Sequence, residues 1–272
     1  MNTFDLNGVY PALDEARQAL TTGRGKGIKI AVIDSGVEAS HPGLKGLTLV
    51  DDLAFELDAN GATIRTKSGQ GTDSFGHGTA VAGIIHELAP EAQIGSFRVL
   101  SAELKGKSAV IAAGAAQAIK LGYDILNCSL GCGKRDHVFA YKAWVDEAFL
   151  AGRHVVAACN NQYYAKEEWP AYFPTVCAVN FTREEEQRGQ FYFRAQKMVS
   201  FAAPGTGLLV LWRGGTRRMV MGSSFAAPQV AALLARLISV IPVSPLLGKD
   251  VMQKVARPWS TGVAGQNEYD FF

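Results

Sequence analysis

Three short segments of the sequence carry the residue types that nucleophilic acyl transfer requires. Asp34 begins the first segment, His77 begins the second, and Ser224 lies in the third, Gly222–Pro228. A serine nucleophile needs an imidazole that takes its proton and a carboxylate that orients the imidazole and stabilises its cation. The order acid, base, nucleophile therefore predicts a catalytic triad of Asp34, His77 and Ser224.

Each of these residues taken alone has a simpler explanation. Asp34 could be a turn residue, His77 a helix-capping or core histidine, and Ser224 a helix cap in competition with Ser223. The local patterns favour function, because Asp34 ends an apolar strand where an unpaired carboxylate is costly, and His77 has a glycine on each side. Pro228 is expected in the first turn of a helix, which would bring the backbone N–H groups of the helix start close to Ser224.

Apolar strand-like segments alternate with helical segments along the chain. The predicted strands are 28–33, 94–99, 124–128, 153–158 and 176–179, and the predicted helices are 108–121, 137–150 and 225–240. This alternation predicts an α/β fold with a mostly parallel β-sheet and helices on both faces. Such sheets place their sites at the carboxyl ends of the strands, where Asp34 and Asn160 are expected. Residues 51–73 and 161–194 are interpreted as excursions from the core.

Length and composition are typical of one large core. The 272 residues are 48% hydrophobic and 19% charged, which predicts a single domain over residues 1–272 with an N-terminal segment 1–25 and a C-terminal tail 257–272 of unknown role. The net charge of +2 comes from interspersed signs, so we expect no nucleic-acid partner. The absence of a signal-like start and of long apolar runs predicts no membrane association and a cytoplasmic location.

The four cysteines, Cys128, Cys132, Cys159 and Cys177, do not have the paired spacing of a metal site. We interpret them as buried reduced thiols. No cofactor and no metal site is expected.

Taken together with the segment 154–161 and with Asn127–Gly131, these motifs resemble the subtilisin-like serine protease family from about Val9 to Val240. The resemblance implies a three-layer subtilisin-like fold and a serine endopeptidase that acts on a protein or peptide substrate. It also implies that the Asn160 amide and the Ser224 N–H hold the oxyanion of the reaction.

The resemblance further implies a substrate groove between two segments. Leu104, Lys105 and Gly106 would form an edge strand that pairs with the peptide, and Ser129, Leu130 and Gly131 would form the facing wall. Ser108 and Ile111 would border a more distant pocket. Cys159 stands where the family usually has glycine and is expected to reshape the pocket wall.

The sequence also departs from the family pattern. Residues 82–90 lack the calcium-binding loop of many subtilisins, and 41–43 lack the acidic ligand, so no strong calcium site is expected. The motifs begin close to Met1, which predicts a compact form without a propeptide. Such an enzyme would need restraint by narrow specificity, a dedicated substrate, or a regulatory protein partner or inhibitor.

Two other functions remain open at this point. The same acyl-enzyme could be passed to an amine, which would make the protein a peptide ligase or macrocyclase. A non-catalytic binding module with the same fold is a further alternative, although it would not need all of Asp34, His77, Ser224 and Asn160. Substrate preference, biological target, oligomeric state and regulator are not determined by the sequence.

Overall fold

A ten-stranded sheet in the order β12-β8-β9-β7-β6-β5-β1-β4-β2-β3 forms the centre of the molecule. The computed structural model describes residues 10–164, 166–182, 187–195 and 197–259, so parts of the predicted N-terminal segment and C-terminal tail lie outside the described residues. The strands are β1 (Lys29–Asp34), β2 (Asp52–Leu57), β3 (Ile64–Ser68), β4 (Gln93–Arg98), β5 (Ile125–Cys128), β6 (His154–Ala158), β7 (Cys177–Thr182), β8 (Tyr192–Phe193), β9 (Phe201–Pro204), β10 (Leu208–Trp212), β11 (Thr216–Val220) and β12 (Arg257–Pro258). The helices are α1 (Leu13–Thr22), α2 (His77–Leu88), α3 (Ser108–Lys120), α4 (Val138–Leu150), α5 (Ser223–Ile238) and α6 (Pro245–Val255).

Strand β1 is the point where the direction of the strand order reverses. It pairs in parallel with β4 on one side and with β5 on the other, and all neighbouring strands from β9 to β2 run parallel. Because helix α3 connects β4 to β5 across β1, the carboxyl ends of β1 and β5 border a crevice at this switch point. The predicted mostly parallel α/β sheet is confirmed.

Alternating side chains of β1 divide the interior into two cores. Ile30 and Val32 pack in the core that contains residues of α1, α2, α5 and α6, whereas Ala31 and Ile33 pack in the core that contains residues of α3 and α4. Each fully buried isoleucine contributes roughly 1.5–3 kcal/mol through removal of apolar surface from water. The molecule therefore has three layers, with helices on both faces of the sheet as predicted.

Two local expectations are corrected by the structure. Residues 51–73 are not simply an excursion, because β2 pairs in parallel with β4 and β3 adds an antiparallel edge strand. Pro228 does not lie in the first turn of α5, since the helix already begins at Ser223. Ser224 is therefore the second residue of the helix, and its N–H lies in the first turn, where helical N–H groups have no intrahelical acceptor.

All four cysteines are free. Cys128, Cys159 and Cys177 are buried as expected, whereas Cys132 is only half-buried, which corrects the expectation for this residue. None of the helices within the described ranges is both long enough and apolar enough to span a bilayer.

His154 makes the stability of the fold depend on pH. It is 3% exposed at the start of β6, and burial, with the positive charge of Arg153, lowers its pKa to about 4. In the unfolded chain this histidine binds a proton near its ordinary pKa of 6.5. The contribution of neutral His154 to the free energy of unfolding is therefore fully present above pH 6.5 and is lost as the pH falls towards 4. Between pH 6.5 and 5 this group should lower the free energy of unfolding by about 2 kcal/mol.

Urea denaturation at pH 7 and pH 5 checks this prediction. Wild-type protein should lose about 2 kcal/mol more on acidification than the His154→Leu variant, which has no titratable group at this position. Equal losses in the two proteins would contradict it.

Candidate active site

The carboxyl end of β1 and the start of α2 bring a carboxylate and an imidazole together. Nδ1 of His77 donates to both carboxylate oxygens of Asp34, at 2.8 and 2.9 Å. Asp34 is 0% exposed and also accepts from the N–H of Ser35 at 2.7 Å. Because Nδ1 of His77 carries the proton, Nε2 is left as the hydrogen-bond acceptor of the ring.

The surroundings of His77 favour its protonated form. Burial by itself lowers the pKa of His77, but the charge and hydrogen bond of Asp34, together with the charge of Asp73, outweigh this effect. The pKa of His77 is therefore raised above the ordinary value of 6.5. A base with this environment can hold a proton taken from a neighbouring hydroxyl.

The glycines on both sides of His77 permit close packing, as the sequence predicts. Gly76 has a φ of +117°, and a Cβ at this position would lie 2.6 Å from Nε1 of Trp212. A Cβ on Gly78 would lie 2.0 Å from the carbonyl oxygen of Gly36. Neither contact is sterically possible, so α2 can begin beside β1 only with glycines here.

Asp73 is a buried acid that the sequence analysis missed. Its carboxylate accepts from the Ser35 hydroxyl at 2.7 Å, from the Gly76 N–H at 2.7 Å, and from the Thr79 N–H and hydroxyl at 2.8 and 2.7 Å. These bonds satisfy N–H groups at the start of α2 and tie the helix to the end of β1. An aspartate four residues before His77, just ahead of a predicted helix, was the available signal.

Ser224 lies in the same cleft as His77. The cleft has a volume of about 850 Å³, and both residues line it. The imidazole packs against Phe225, with 5.0 Å between ring centroids. Within the described part of the chain no hydrogen bond joins His77 to Ser224. In enzymes without bound substrate, the distance between a base and its nucleophile is often too long for a hydrogen bond and shortens when substrate binds.

Asn160 is placed differently from the expectation. Its Nδ2 donates to Glu168 at 2.8 Å, and its Oδ1 accepts from the N–H groups of Gln162 and Tyr163 at 2.9 and 2.8 Å. The amide is therefore directed to the cleft wall and to its own turn. This geometry corrects the expectation that the Asn160 side chain points at the nucleophile.

The following residue, Asn161, is directed to the start of α5 instead. Its Oδ1 accepts from the N–H and the hydroxyl of Ser223, both at 2.8 Å. Since both donors of Ser223 face the oxygen of this amide, the other amide atom is the nitrogen Nδ2. Asn161 lines the cleft next to Ser224. The sequence analysis missed this residue, because two consecutive asparagines give no indication of which one faces the helix.

The two predicted groove segments do border the cleft. Leu104 and Gly106 line one side and Ser129–Gly131 the other, whereas Lys105 lines the adjacent cavity. The first segment is not an edge strand, because Leu104 has a φ of +54° and the Ser101 N–H donates to the Lys105 carbonyl in a turn. Left-handed backbone at a non-glycine residue disrupts strand geometry.

The other predicted contacts also lie at the cleft. Ser108, Ile111 and Cys159 line it. Burial, with the charge of Glu168, raises the pKa of the Cys159 thiol, which therefore stays protonated and is a poor nucleophile. Among the described residues no cluster of metal-ligating side chains occurs, and the expected lack of a strong calcium site stays a prediction.

A base oriented by a buried carboxylate, together with a hydroxyl at a helix start in the same cleft, is an arrangement suited to acyl transfer. Residues 25–257 match the subtilase family. The chain belongs to this family. As a subtilase it is a subtilisin-like hydrolase, in line with the resemblance seen in the sequence.

Known subtilases resemble the chain over most of its length. Thermitase of Thermoactinomyces vulgaris is 31% identical over 84% of this chain and 81% of its own, and subtilisin DY of Bacillus licheniformis is 29% identical over 80% and 79%. Among solved structures, sphericase is 27% identical with a TM-score of 0.71, covering 85% of this chain and 83% of its own. A psychrophilic protease is 26% identical with a TM-score of 0.72 and the same coverage.

Proposed function

We propose that this subtilase is a serine endopeptidase that cleaves peptide bonds through an acyl-enzyme, with Asp34, His77 and Ser224 as its triad. The observation that carries the proposal is the two-oxygen contact of buried Asp34 with Nδ1 of His77, in a cleft that Ser224 also lines. This contact leaves Nε2 free to accept a proton. A binding module has no need of a buried carboxylate in this place, because desolvating it is costly.

In the proposed reaction, Oγ of Ser224 attacks the peptide carbonyl carbon while Nε2 of His77 takes the hydroxyl proton. The imidazolium is stabilised by the Asp34 carboxylate, which stays ionised. His77 then gives the proton to the departing amine as the C–N bond breaks. Water, activated by the same imidazole, hydrolyses the ester to Ser224 and regenerates the enzyme.

The oxyanion of this reaction would be held by the backbone N–H of Ser224 and the Nδ2 of Asn161. This proposal replaces Asn160, whose Nδ2 donates to Glu168. It is supported by the two hydrogen bonds that fix the Asn161 side chain against Ser223, directly before the nucleophile. Donors fixed before the reaction are worth more than donors that must reorganise.

Replacing each asparagine separately tests this assignment. Asn161→Ala should lower kcat about a hundred- to a thousandfold, a magnitude that belongs to the corresponding donor of subtilisin, a member of this family. Asn160→Ala should change kcat only a few-fold, because the side-chain amide of Asn160 donates to Glu168 in the cleft wall and not to the oxyanion. Steady-state kinetics on one peptide substrate, with melting temperatures of both variants, decides between them. A large loss of kcat confined to Asn160→Ala would reverse the assignment.

The substrate would lie extended between the turn at Leu104–Gly106 and the segment Ser129–Gly131. Both border the cleft next to Ser224, and backbone groups of an extended peptide could pair with them. Processing of a specific protein or precursor peptide is the role that we favour. The cytoplasmic location and the regulatory partner stay predictions.

Labelling with a fluorophosphonate tests the proposed function directly. Wild-type protein should form a covalent adduct on Ser224, and Ser224→Ala should form none. Folded wild-type protein that remains unlabelled would contradict the proposal and would favour a binding module. The masses of the products distinguish a peptidase from a peptide ligase, because hydrolysis of the acyl-enzyme adds water to the substrate and transfer of the acyl group to an amine does not.

A further inference from the structure

Glu168 places a carboxylate inside the active-site cleft. Its Oε1 accepts from Nδ2 of Asn160 at 2.8 Å, and its Oε2 lies 2.9 Å from the point that a Cβ on Gly131 would occupy. The acid thus contacts both walls of the pocket, one after β5 and one after β6. The second wall lies against the start of α5, because the hydroxyl oxygen of Ser223 is 2.7 Å from the Cys159 carbonyl oxygen, and its one proton is shared between this oxygen and Oδ1 of Asn161.

Within the part of the chain that the structure describes, Glu168 forms no ion pair. The adjacent Glu167, in contrast, pairs with Arg135 at 2.8 Å. Burial and then the charge of Glu168 raise the pKa of the Cys159 thiol, whereas the charge of Arg194 lowers it, so the carboxylate acts on the cleft wall against a weaker positive charge. A half-buried carboxylate of this kind is stabilised when a cation binds beside it.

Three cations among the described residues lie near this pocket and form no ion pair with the acid there. Lys107 and Lys134 line the cleft but are exposed, so their charges are screened by salt. The guanidinium of Arg194 stacks on the rings of Tyr164 and Trp259, 4.5 and 4.4 Å from their centroids. These positions leave Glu168 as the acid available to a ligand.

We infer that Glu168 selects lysine or arginine as the substrate residue before the scissile bond, because it contacts Asn160, directly before the proposed oxyanion donor Asn161. The inference rests on the proposed endopeptidase function. Oε2 lies close to Gly131 and accepts no hydrogen bond from the described residues, so the charged end of such a side chain could form a charge-assisted bond to it. An apolar side chain of the same length would desolvate the carboxylate without replacing its hydrogen bonds, and an acidic side chain would be repelled.

Glu168→Gln is the variant that isolates the charge. A glutamine keeps an oxygen that can accept from Asn160, so the pocket wall retains this bond while the negative charge is removed. A charge-assisted hydrogen bond contributes enough to change selectivity about ten- to a hundredfold. Glu167→Gln is the matched control, because Glu167 pairs with Arg135 away from the cleft lining.

The experiment uses two peptidyl diphenyl phosphonates that differ only in the terminal residue, lysine in one and norleucine in the other. The second-order rate of covalent labelling at Ser224 is measured for wild type, Glu168→Gln and Glu167→Gln. A small fluorophosphonate without a peptide is run in parallel, because it reports the nucleophile alone.

We expect the wild type and Glu167→Gln to react at least tenfold faster with the lysine reagent, and Glu168→Gln to lose most of this ratio. Equal rates for the two reagents in wild type, or an unchanged ratio in Glu168→Gln, would overturn the inference while fluorophosphonate labelling still supports the protease. Absence of fluorophosphonate labelling in folded wild type would overturn the proposed function itself, and the inference with it.

Discussion

Ser224→Ala is expected to lower kcat for peptide hydrolysis about a millionfold, a magnitude known from subtilisin, which belongs to the same family. In the proposed mechanism this variant has no nucleophile, so the acyl-enzyme cannot form. His77→Ala should cost about as much, because the hydroxyl then has no base to take its proton. Since the two residues act as one unit, the double variant should lose little more than either single variant.

Single-turnover cleavage of a fluorogenic peptide at enzyme excess measures these losses. Ser239→Ala is a suitable control, since Ser239 lies at the far end of the same helix and donates to the Arg236 carbonyl. The control should keep full activity. If Ser224→Ala retained a tenth of the wild-type kcat, another residue would have to be the nucleophile. Losses that add in the double variant would show that His77 and Ser224 act independently.

Asp34→Asn should lower kcat about ten-thousandfold, again the order of magnitude seen for the acid in subtilisin and other triad enzymes. An amide cannot stabilise the imidazolium, and it can hold His77 in the wrong tautomer with Nε2 protonated. The fold should tolerate the change, because asparagine is nearly isosteric and its oxygen can still accept from the Ser35 N–H.

The pH profile gives a second readout for Asp34. His77 acts as a base only when neutral, so activity falls as the pH drops below its pKa, which Asp34 raises above the ordinary 6.5. In Asp34→Asn the lowering effect of burial remains, and the acidic limb of kcat/KM should move to lower pH. A limb that stays in place or moves to higher pH would contradict the role of Asp34.

The central strands could be predicted from sequence because they are covered on both faces and therefore read as continuous apolar runs. Strand β1 ends at Asp34 and β6 begins at His154, within a residue or two of the predicted bounds. The edge hairpin β2–β3 could not be predicted in this way. Its second strand, β3, is mostly exposed and polar, and it is held in the sheet by antiparallel pairing with β2, which in turn pairs with β4.

In the active site, too, some residues can be found from the local sequence pattern and others only from contacts made in the folded structure. The contact of Asp34 with His77 and the position of Ser224 in the same cleft could be anticipated, because each residue lies in a recognisable strand-end or helix-start context. The choice between Asn160 and Asn161 depends on which side chain meets Ser223, a residue distant in sequence. Glu168 lies in an irregular segment with no motif, so only the fold shows that it reaches the cleft beside Gly131.

The separation of the triad along the chain has a consequence for how activity first arises. Asp34 and His77 belong to the N-terminal half, whereas Ser224 arrives on α5, which packs between α2 and strands β5, β6, β7 and β9. Contacts between segments so distant in sequence form slowly, because the entropy of closing the intervening loop is lost first. In a chain whose α5 has not yet packed, the proposed base and the proposed nucleophile are apart, so we expect acyl transfer to begin only when α5 is in place.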